Sequence, residues 1–188
     1  MRTPRSYREC SLKDYDWAFN GDEELRQRLI DMIPAEASVV FCHPESGVGK
    51  THLAVGYAWS LARSMGASFE FHYADNFAKS LAMTGISYDE TIGQLRDVRI
   101  LLIDELGRDD PRYQRDLEMI LRWQLDDCGV IVGASPLPAS ELMARYDGSI
   151  FRRILDTGGG VIDLPGVKRK VWSPLVEAVE KVNGKMES

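Results

Sequence analysis

The sequence predicts a doubly wound α/β fold, in which helices cover both faces of a parallel sheet. The first observation is alternation, because short apolar runs typical of buried strands are separated by stretches with helical periodicity. The second is that most of these strands are apolar throughout, as in sheets that are covered on both faces. The third is length, since 188 residues suit one domain. Ligands of such folds bind beyond the carboxyl ends of the strands.

The first 34 residues are polar and helix-prone, and we interpret them as an extension that precedes the sheet. Within them, Asp22-Glu23-Glu24 opens a helical pattern. Pro34 is expected to end that helix. The apolar face predicted for it consists of Leu25, Leu29, Ile30 and Ile33.

The next elements are a strand, a glycine-rich turn, a helix and a second strand. Ser38–Cys42 is a short apolar run that indicates a buried strand. Helical spacing over Lys50–Met65 predicts a helix, and Gly66 stands where a helix commonly ends. Polar and apolar residues alternate over Ser68–Tyr73, as expected of a strand.

The alternation continues through the second half of the chain. Two helices are predicted over Asp75–Met83 and Tyr88–Leu95, followed by a strongly apolar strand over Arg99–Ile103. An amphipathic helix over Arg112–Asp127 then leads to an apolar strand over Val130–Ala134.

Shorter elements complete the predicted fold. Helices are expected over Ser140–Tyr146, Ser149–Leu155 and Pro174–Val182, and a last strand over Val161–Leu164. We therefore divide the chain into an N-terminal extension (1–34), a core (35–170) and a short C-terminal helix (171–188).

Composition supports a globular protein and excludes several other classes. Hydrophobic residues make up 44% of the chain and charged residues 28%, which excludes disorder as the main state. The formal net charge of -6 argues against nucleic-acid binding through overall positive charge, although a local basic patch stays compatible with it. No apolar run approaches the roughly 20 residues that span a bilayer.

Cellular location is predicted from the cysteines and the N-terminus. Cys10, Cys42 and Cys128 are widely spaced and odd in number, so they form neither a metal pattern nor a disulfide framework. The N-terminus has no apolar stretch after its arginines and does not resemble a secretory signal. We expect a cytoplasmic protein with reduced thiols and no membrane partner.

The glycine-rich turn after the first strand matches most of the phosphate-binding pattern G-x-x-x-x-G-K-[ST]. Gly49, Lys50 and Thr51 fit the pattern, while Pro44 stands at its first glycine. Glycines let successive main-chain N–H groups converge on phosphate oxygens, and the following helix directs its positive end to the same point. The residues predicted to bind ATP are Ser46, Gly47, Val48, Gly49, Lys50, Thr51 and His52.

Two residues in this loop carry further chemistry, and two depart from expectation. Lys50 can place a charge between the β- and γ-phosphates, and the Thr51 hydroxyl can bind Mg²⁺. Pro44 lacks an N–H group and is tolerated if that position supplies only the turn. A carboxylate at Glu45 would be repelled by phosphate, so we expect it to face solvent or to hold a partner's cation. The alternative reading is a tight strand-to-helix turn without a ligand.

A pair of acidic residues follows the apolar strand Ile100-Leu101-Leu102-Ile103. This is the Walker B pattern, in which Asp104 would help Thr51 hold Mg²⁺. Glu105 would then orient and deprotonate a water that attacks the γ-phosphate. The alternative is an ordinary strand that ends in a polar turn.

The stretches VVFCHPESGVGKTHLA and RILLIDELG resemble AAA+ ATPases of the bacterial and phage helicase-loader type. That type is related to the replication initiator ATPase and to the insertion-sequence ATP-binding proteins. The resemblance extends over roughly residues 10–170. It implies a P-loop AAA+ core that binds ATP and Mg²⁺, self-associates, and acts on a replicative DNA helicase, with single-stranded DNA as a further candidate partner.

The resemblance implies two more site residues and a small lid. In the family a polar residue, usually Asn, ends the next strand and senses the γ-phosphate, and here that residue is Ser135. The stretch Ile150–Leu155 resembles the arginine-finger helix, with Arg153 as the arginine supplied to a neighbouring subunit. Alternatively, Ser135 starts a turn and Arg153 is a surface arginine. By comparison with the family, we expect its helical lid to be reduced here to Trp172–Val182.

Other functions stay open at this point. A regulatory module that retains nucleotide with little turnover is favoured by Pro44, Ser135 and the reduced lid. Such a module could be a replication regulator or an accessory ATPase of transposition. A small-molecule kinase would share the loop, although the Asp104-Glu105 pair suits hydrolysis better than transfer.

Overall fold

The computed structural model describes residues 3–17, 23–83, 97–127 and 129–165, and the single residues 90, 93 and 95. Its centre is a sheet of five strands, each parallel to its neighbours, in the order β2-β3-β4-β1-β5. The strands are β1 (Val39–Cys42), β2 (Phe69–Tyr73), β3 (Ile100–Asp104), β4 (Val130–Ser135) and β5 (Gly160–Asp163).

The helices lie on both faces of this sheet, which confirms the predicted doubly wound α/β fold. The described helices are α1 (Glu23–Met32), α2 (Lys50–Met65), α3 (Ala74–Met83), α4 (Gln114–Asp126), α5 (Ala139–Arg145) and α6 (Gly148–Asp156). Short 3-10 turns lie at Arg5–Tyr7 and Pro111–Tyr113. A hydrophobic cluster lies between the sheet and the helices on each face. Residues 10–17, α1 and α2 pack on one face, and α3, α4, α5 and α6 pack on the other.

The strand order places a topological switch point between β1 and β4. After β1 the chain crosses to the far edge at β2, returns through β3 and β4, and continues to β5 on the other side of β1. The register pairs Cys42 with Ser135, and Tyr73 with Asp104. The carboxyl ends of β1, β3 and β4 therefore share one edge, where ligands of such sheets bind.

Helix α2 has the bounds that the sequence predicts. It begins after Gly49, at φ 92°, and ends at Gly66, at φ 62°, whose N–H donates to the Ala62 carbonyl. These left-handed conformations favour glycine, so both ends of the helix are set locally.

The N-terminal segment packs directly on α2. Leu12 and Tyr15 are buried in the same cluster as α1 and the inner strands. A Cβ atom at Gly56 would lie 2.8 Å from the Leu12 nitrogen, so glycine permits this close approach. The Trp17 indole donates to the Leu12 carbonyl at 2.7 Å. The division at residue 34 stays a prediction, but the described part of the extension shares the core's packing.

The structure corrects two details of the predicted elements. Ile30 is 42% exposed, whereas Met32 is buried with Leu25 and Leu29, and α1 ends at Met32. Strand β3 extends one residue further than expected, so that Asp104 belongs to the sheet. Most of the helix expected over 88–95, and the whole C-terminal segment after residue 165, lie outside the described residues.

No helix in the described part of the chain is long and apolar enough to cross a membrane.

Candidate functional site

A cavity of about 330 Å³ lies beyond the carboxyl ends of β1, β3 and β4. It forms where the P-loop and the turn after β3 meet, as the strand order requires. The structure thus brings together residues that the sequence separates widely. Nine predicted site residues line the cavity: Ser46, Gly47, Gly49, Lys50, Thr51, His52, Asp104, Glu105 and Ser135.

Two glycines shape the phosphate loop. Gly47 (φ 85°) and Gly49 (φ 92°) both adopt the left-handed region. A Cβ at Gly49 would lie 2.6 Å from Cε2 of Tyr15, so both its conformation and its neighbour require glycine. Between them, Val48 is buried, and its carbonyl accepts a hydrogen bond from the Tyr15 hydroxyl at 3.2 Å. The Val48 side chain belongs to the hydrophobic cluster with Tyr15 and does not line the cavity, although Val48 was among the residues predicted to bind ATP.

Lys50 is held by the loop that precedes it. Its Nζ donates to the Glu45 carbonyl at 2.6 Å. Burial lowers the pKa of Lys50, because desolvation disfavours the charged ammonium, and the nearby Asp104 opposes this shift. The Glu45 residue is exposed, as expected from the sequence. The ammonium therefore lies in the cavity with a neutral carbonyl acceptor within the loop.

Thr51 and Asp104 form the oxygen-rich part of the cavity. The Thr51 hydroxyl lies 3.1 Å from both Asp104 carboxylate oxygens, and the Glu105 N–H donates to Oδ1 at 3.0 Å. Burial raises the pKa of Asp104, which is 5% exposed, while the Thr51 hydrogen bond acts in the opposite direction.

These two side chains fit Mg²⁺. Hydroxyl and carboxylate oxygens are hard ligands of the type that Mg²⁺ takes, and it is usually bound through one or two carboxylates, phosphate oxygens and waters. Among the described residues, no group of three or more His, Cys, Asp and Glu side chains could hold a metal ion. A magnesium ion bound here would therefore need phosphate or water oxygens as additional ligands.

The turn after β3 carries backbone strain at Glu105. Its φ of 60° lies in the left-handed region, which is uncommon for residues other than glycine and costs energy. The Arg108 N–H donates to the Glu105 carbonyl at 3.0 Å, and Gly107 has φ 96°, as a tight turn requires. Residues at the two ends of such a turn are neighbours. Accordingly, Arg108 Nη1 lies 3.2 Å from the Glu105 carboxylate.

A buried polar network holds this turn against the end of α5. The Asp109 carboxylate is fully buried, accepts from the Tyr146 hydroxyl and from the Gly107 N–H at 3.2 Å, and pairs with Arg145 at 3.3 Å. The Tyr146 hydroxyl in turn accepts from the Gly107 N–H at 2.9 Å. Buried charges require such partners, and here they fix the turn that carries Glu105.

Ser135 lies at the cavity wall with its hydroxyl engaged by neighbouring backbone. Its Oγ donates to the Leu106 carbonyl at 2.7 Å and accepts from the Leu137 N–H at 3.1 Å. A hydroxyl has one proton to donate, so this arrangement uses it within the protein. It matches the turn-forming alternative, and the sensor role of Ser135 stays a prediction.

Arg153 lies on α6, away from the cavity lining. Its Nε donates to Asp126 Oδ1 at 2.6 Å, and its Nη1 donates to the Ser149 carbonyl at 3.3 Å. An arginine that acts on a neighbouring subunit need not lie near its own cavity, so the finger role stays a prediction.

Of the residues with polar side chains that line the cavity, the sequence analysis missed two, Tyr7 and Arg108. The Tyr7 ring stacks on Phe71 with centroids 6.2 Å apart. Burial, followed by the Asp104 charge, raises the pKa of Tyr7. Nothing in the polar N-terminal sequence signals this placement. Arg108 could have been found, because a turn containing Gly107 brings it beside Glu105.

Known proteins with this fold include ATPases of DNA replication. The structure of the DnaC helicase loader matches with a TM-score of 0.68 and 18% identity, over 86% of this chain and 99% of that one. The structure of DnaI matches with a TM-score of 0.67 and 20% identity, over 89% and 94%. Replication initiator DnaA bound to AMPPCP and single-stranded DNA matches with a TM-score of 0.62 and 19% identity, over 96% and 56%.

At these identities the structural matches show the fold, which is that of P-loop AAA+ ATPases. A search of curated proteins finds no significant match. The sequence model of the family described as "IstB-like ATP binding protein" matches residues 2–135, a range that includes the phosphate loop and the acidic end of β3. The resemblance indicated by those two motifs is therefore confirmed.

Proposed function

Because this chain belongs to the IstB-like ATP-binding protein family, we propose that it binds and hydrolyses ATP in DNA replication, where it loads or remodels a replicative DNA helicase. The observation that carries the nucleotide part is the cavity in which the phosphate loop, Lys50, the Thr51–Asp104 pair and Glu105 meet. The helicase part rests on the family and on the fold shared with a structure described as a helicase loader.

The loop binds the triphosphate through main-chain N–H groups and through Lys50. The ammonium now donates to the neutral Glu45 carbonyl. A phosphate oxygen is a stronger acceptor because it is charged, so Lys50 exchanges one acceptor for the other when nucleotide enters. The positive end of α2 adds to this attraction.

Thr51 and Asp104 would hold Mg²⁺ in the proposed complex. When bound, the ion would supply positive charge that neutralises the phosphate oxygens. Asp104 ends β3 beside the turn that carries Glu105, and the Thr51 hydroxyl lies 3.1 Å from its carboxylate.

Glu105 is the proposed general base. Its carboxylate takes a proton from a water whose oxygen bonds to the γ-phosphorus. The bond from that phosphorus to the bridging oxygen breaks, and ADP leaves with the electron pair. A left-handed backbone fixes Glu105 at the end of β3 and lets its side chain face the cavity.

Arg153 completes the site in a neighbouring subunit. A guanidinium spreads its charge over the oxygens of the transferred phosphoryl group. For this it must leave Asp126, an exposed partner, and such surface pairs contribute little to stability. Hydrolysis by an isolated subunit is therefore expected to be slow, and self-association is part of the proposal.

A second candidate function is favoured by the contacts of Ser135. With its hydroxyl bonded to the Leu106 carbonyl, this residue has no proton to offer the γ-phosphate. A module that retains nucleotide with little turnover, and regulates replication or assists transposition, would have this property.

The test compares Lys50→Ala with Lys79→Ala, since Lys79 is an exposed lysine paired with Asp75 outside the cavity. Binding of a fluorescent ATP analogue is measured first, followed by ATP turnover with and without single-stranded DNA and the host's replicative helicase. We expect Lys50→Ala to weaken binding at least about tenfold, as for a lost charged hydrogen bond, and Lys79→Ala to change nothing.

Unchanged binding by Lys50→Ala would contradict the proposed function. Tight binding without turnover in the presence of both DNA and helicase would favour the regulatory module. Turnover stimulated by DNA, together with a shift of the helicase onto single-stranded DNA, supports the loader.

A further inference from the structure

We propose that Arg108 contacts the γ-phosphate of ATP within its own subunit, so that the protein binds ATP more tightly than ADP. The inference rests on the proposed function, because it assumes that nucleotide occupies the cavity. It goes beyond that function by assigning a role to an arginine outside the phosphate loop and Walker B motifs.

The position of Arg108 follows from the turn after β3. Glu105 and Arg108 occupy the two ends of this turn, and Gly107 supplies the positive φ that it needs. The guanidinium consequently lines the cavity, 3.2 Å from the Glu105 carboxylate. In the proposed reaction Glu105 holds the water that attacks the γ-phosphorus. A group that touches this carboxylate therefore lies near the γ-phosphate oxygens.

The present partner of Arg108 is one that phosphate can replace. Both side chains of the Arg108–Glu105 pair are about half exposed, and water weakens such pairs. The γ-phosphate offers several charged oxygens, and a guanidinium can bind two of them at once. When the Arg108 guanidinium moves from Glu105 to phosphate, the Glu105 carboxylate also becomes free to accept a proton.

The backbone of Arg108 is fixed before any ligand arrives. On one side the Leu106 N–H donates to the Ala134 carbonyl at 2.9 Å. On the other, Asp109 is buried with Tyr146 and Arg145. Only the Arg108 side chain has to move, so little ordering is required on binding.

Electrostatics in the cavity support an additional cation. Lys50 and Arg108 face Asp104 and Glu105, so that two positive and two negative side chains line the cavity. Arg108 also contributes to the lowered pKa of Lys50, which is consistent with their closeness. Phosphates in the cavity would therefore contact two cations, Lys50 from the phosphate loop and Arg108 from the turn after β3. Arg108 lies on the Glu105 side of the cavity.

The test measures the affinities of Arg108→Ala for AMPPCP and for ADP, both with Mg²⁺. Arg112→Ala is the matched control, because Arg112 is an exposed arginine of the same connection that pairs with Asp110 outside the cavity. We expect Arg108→Ala to lose roughly tenfold in AMPPCP affinity and to keep its ADP affinity. Arg108→Lys should retain part of the preference, since it keeps the charge but not the fork.

Two results would overturn the inference: an unchanged AMPPCP affinity, and an equal loss of affinity for AMPPCP and ADP. If ATP turnover, measured alongside, becomes faster while AMPPCP affinity is unchanged, Arg108 only restrains Glu105. Lys50→Ala separates this failure from that of the proposed function. If Lys50→Ala weakens the binding of both nucleotides while Arg108→Ala changes neither affinity, ATP binding is supported and the role of Arg108 is contradicted.

Discussion

Replacing Tyr146 with phenylalanine tests the network that fixes the turn after β3. The change removes one hydroxyl and leaves the ring in place. That hydroxyl donates to the buried Asp109 carboxylate and accepts from the Gly107 N–H at 2.9 Å. Burial and the Asp109 charge raise the pKa of Tyr146, so the hydroxyl stays a donor over the working pH range.

The expected loss of stability can be worked from these contacts. A hydrogen bond to a charged group contributes about 1.5–3 kcal/mol. The Asp109 side chain is fully buried, so bulk solvent does not replace the lost donor. The Gly107 N–H keeps Asp109 Oδ1 as an acceptor at 3.2 Å, so the second lost bond adds little. We expect Tyr146→Phe to lower the free energy of unfolding by about 2–3 kcal/mol, equivalent to a fall in Tm of roughly 5–10 °C for a chain of this size.

Urea unfolding followed by circular dichroism measures this difference, with Tyr113→Phe as the control. Tyr113 is half-buried, and its hydroxyl forms no hydrogen bond with any residue in the described part of the chain. ATP turnover should fall more than nucleotide affinity, because the loosened turn carries Glu105 but not the phosphate loop. A loss below about 0.5 kcal/mol, equal to that of Tyr113→Phe, would refute the reasoning.

Three further predictions concern the core, the metal ligand and the neighbouring subunit. Leu29→Ala should cost about 2–5 kcal/mol of unfolding free energy and Ile30→Ala less than about 1 kcal/mol, because only Leu29 is buried; equal losses by urea unfolding would contradict the packing of α1. Burial raises the pKa of Asp104, so ionisation of this carboxyl lowers the free energy of unfolding as pH rises. Asp104→Asn should therefore raise the Tm of the nucleotide-free protein at pH 7, and the difference in Tm should shrink toward acidic pH. Arg153→Ala and Glu105→Gln should each abolish turnover, and mixing them should restore part of it; no recovery in mixtures would argue against an arginine supplied in trans.

The strands were predictable from their side-chain patterns, which are apolar runs in β1, β3 and β4 and alternation in β2. The structure places all five strands within one residue of the predicted starts. The predicted apolar face of α1 was only partly right. A helical period that begins at Leu25 includes Leu29 and Met32, whereas Ile30, five residues after Leu25, lies on a different side of the helix. The structure follows this spacing, since Met32 is buried and Ile30 is 42% exposed.

The candidate site likewise has a part that the sequence predicts and a part that only the fold assembles. The phosphate loop and the Asp104-Glu105 pair are contiguous motifs, and their chemistry is set by residues next to one another. Tyr7 reaches the cavity because residues 3–17 pack along α2. The contacts of Ser135 depend on the backbone of another turn. Such contacts join distant parts of the chain, and only the folded structure brings them together.

The network around Asp109 also connects the two residues proposed to act in hydrolysis, Glu105 and Arg153. Tyr146 is the C-cap of α5, and the next residue, Asp147, caps α6 by accepting from the Ser149 N–H at 2.7 Å. The turn with Glu105 and the helix with Arg153 are therefore anchored within a short stretch of chain. Because a buried, hydrogen-bonded network deforms only at high cost, a shift of the turn on nucleotide binding would move α6 as well. If Arg153 acts on a neighbouring subunit as proposed, the nucleotide of one subunit would in this way affect the position of that arginine.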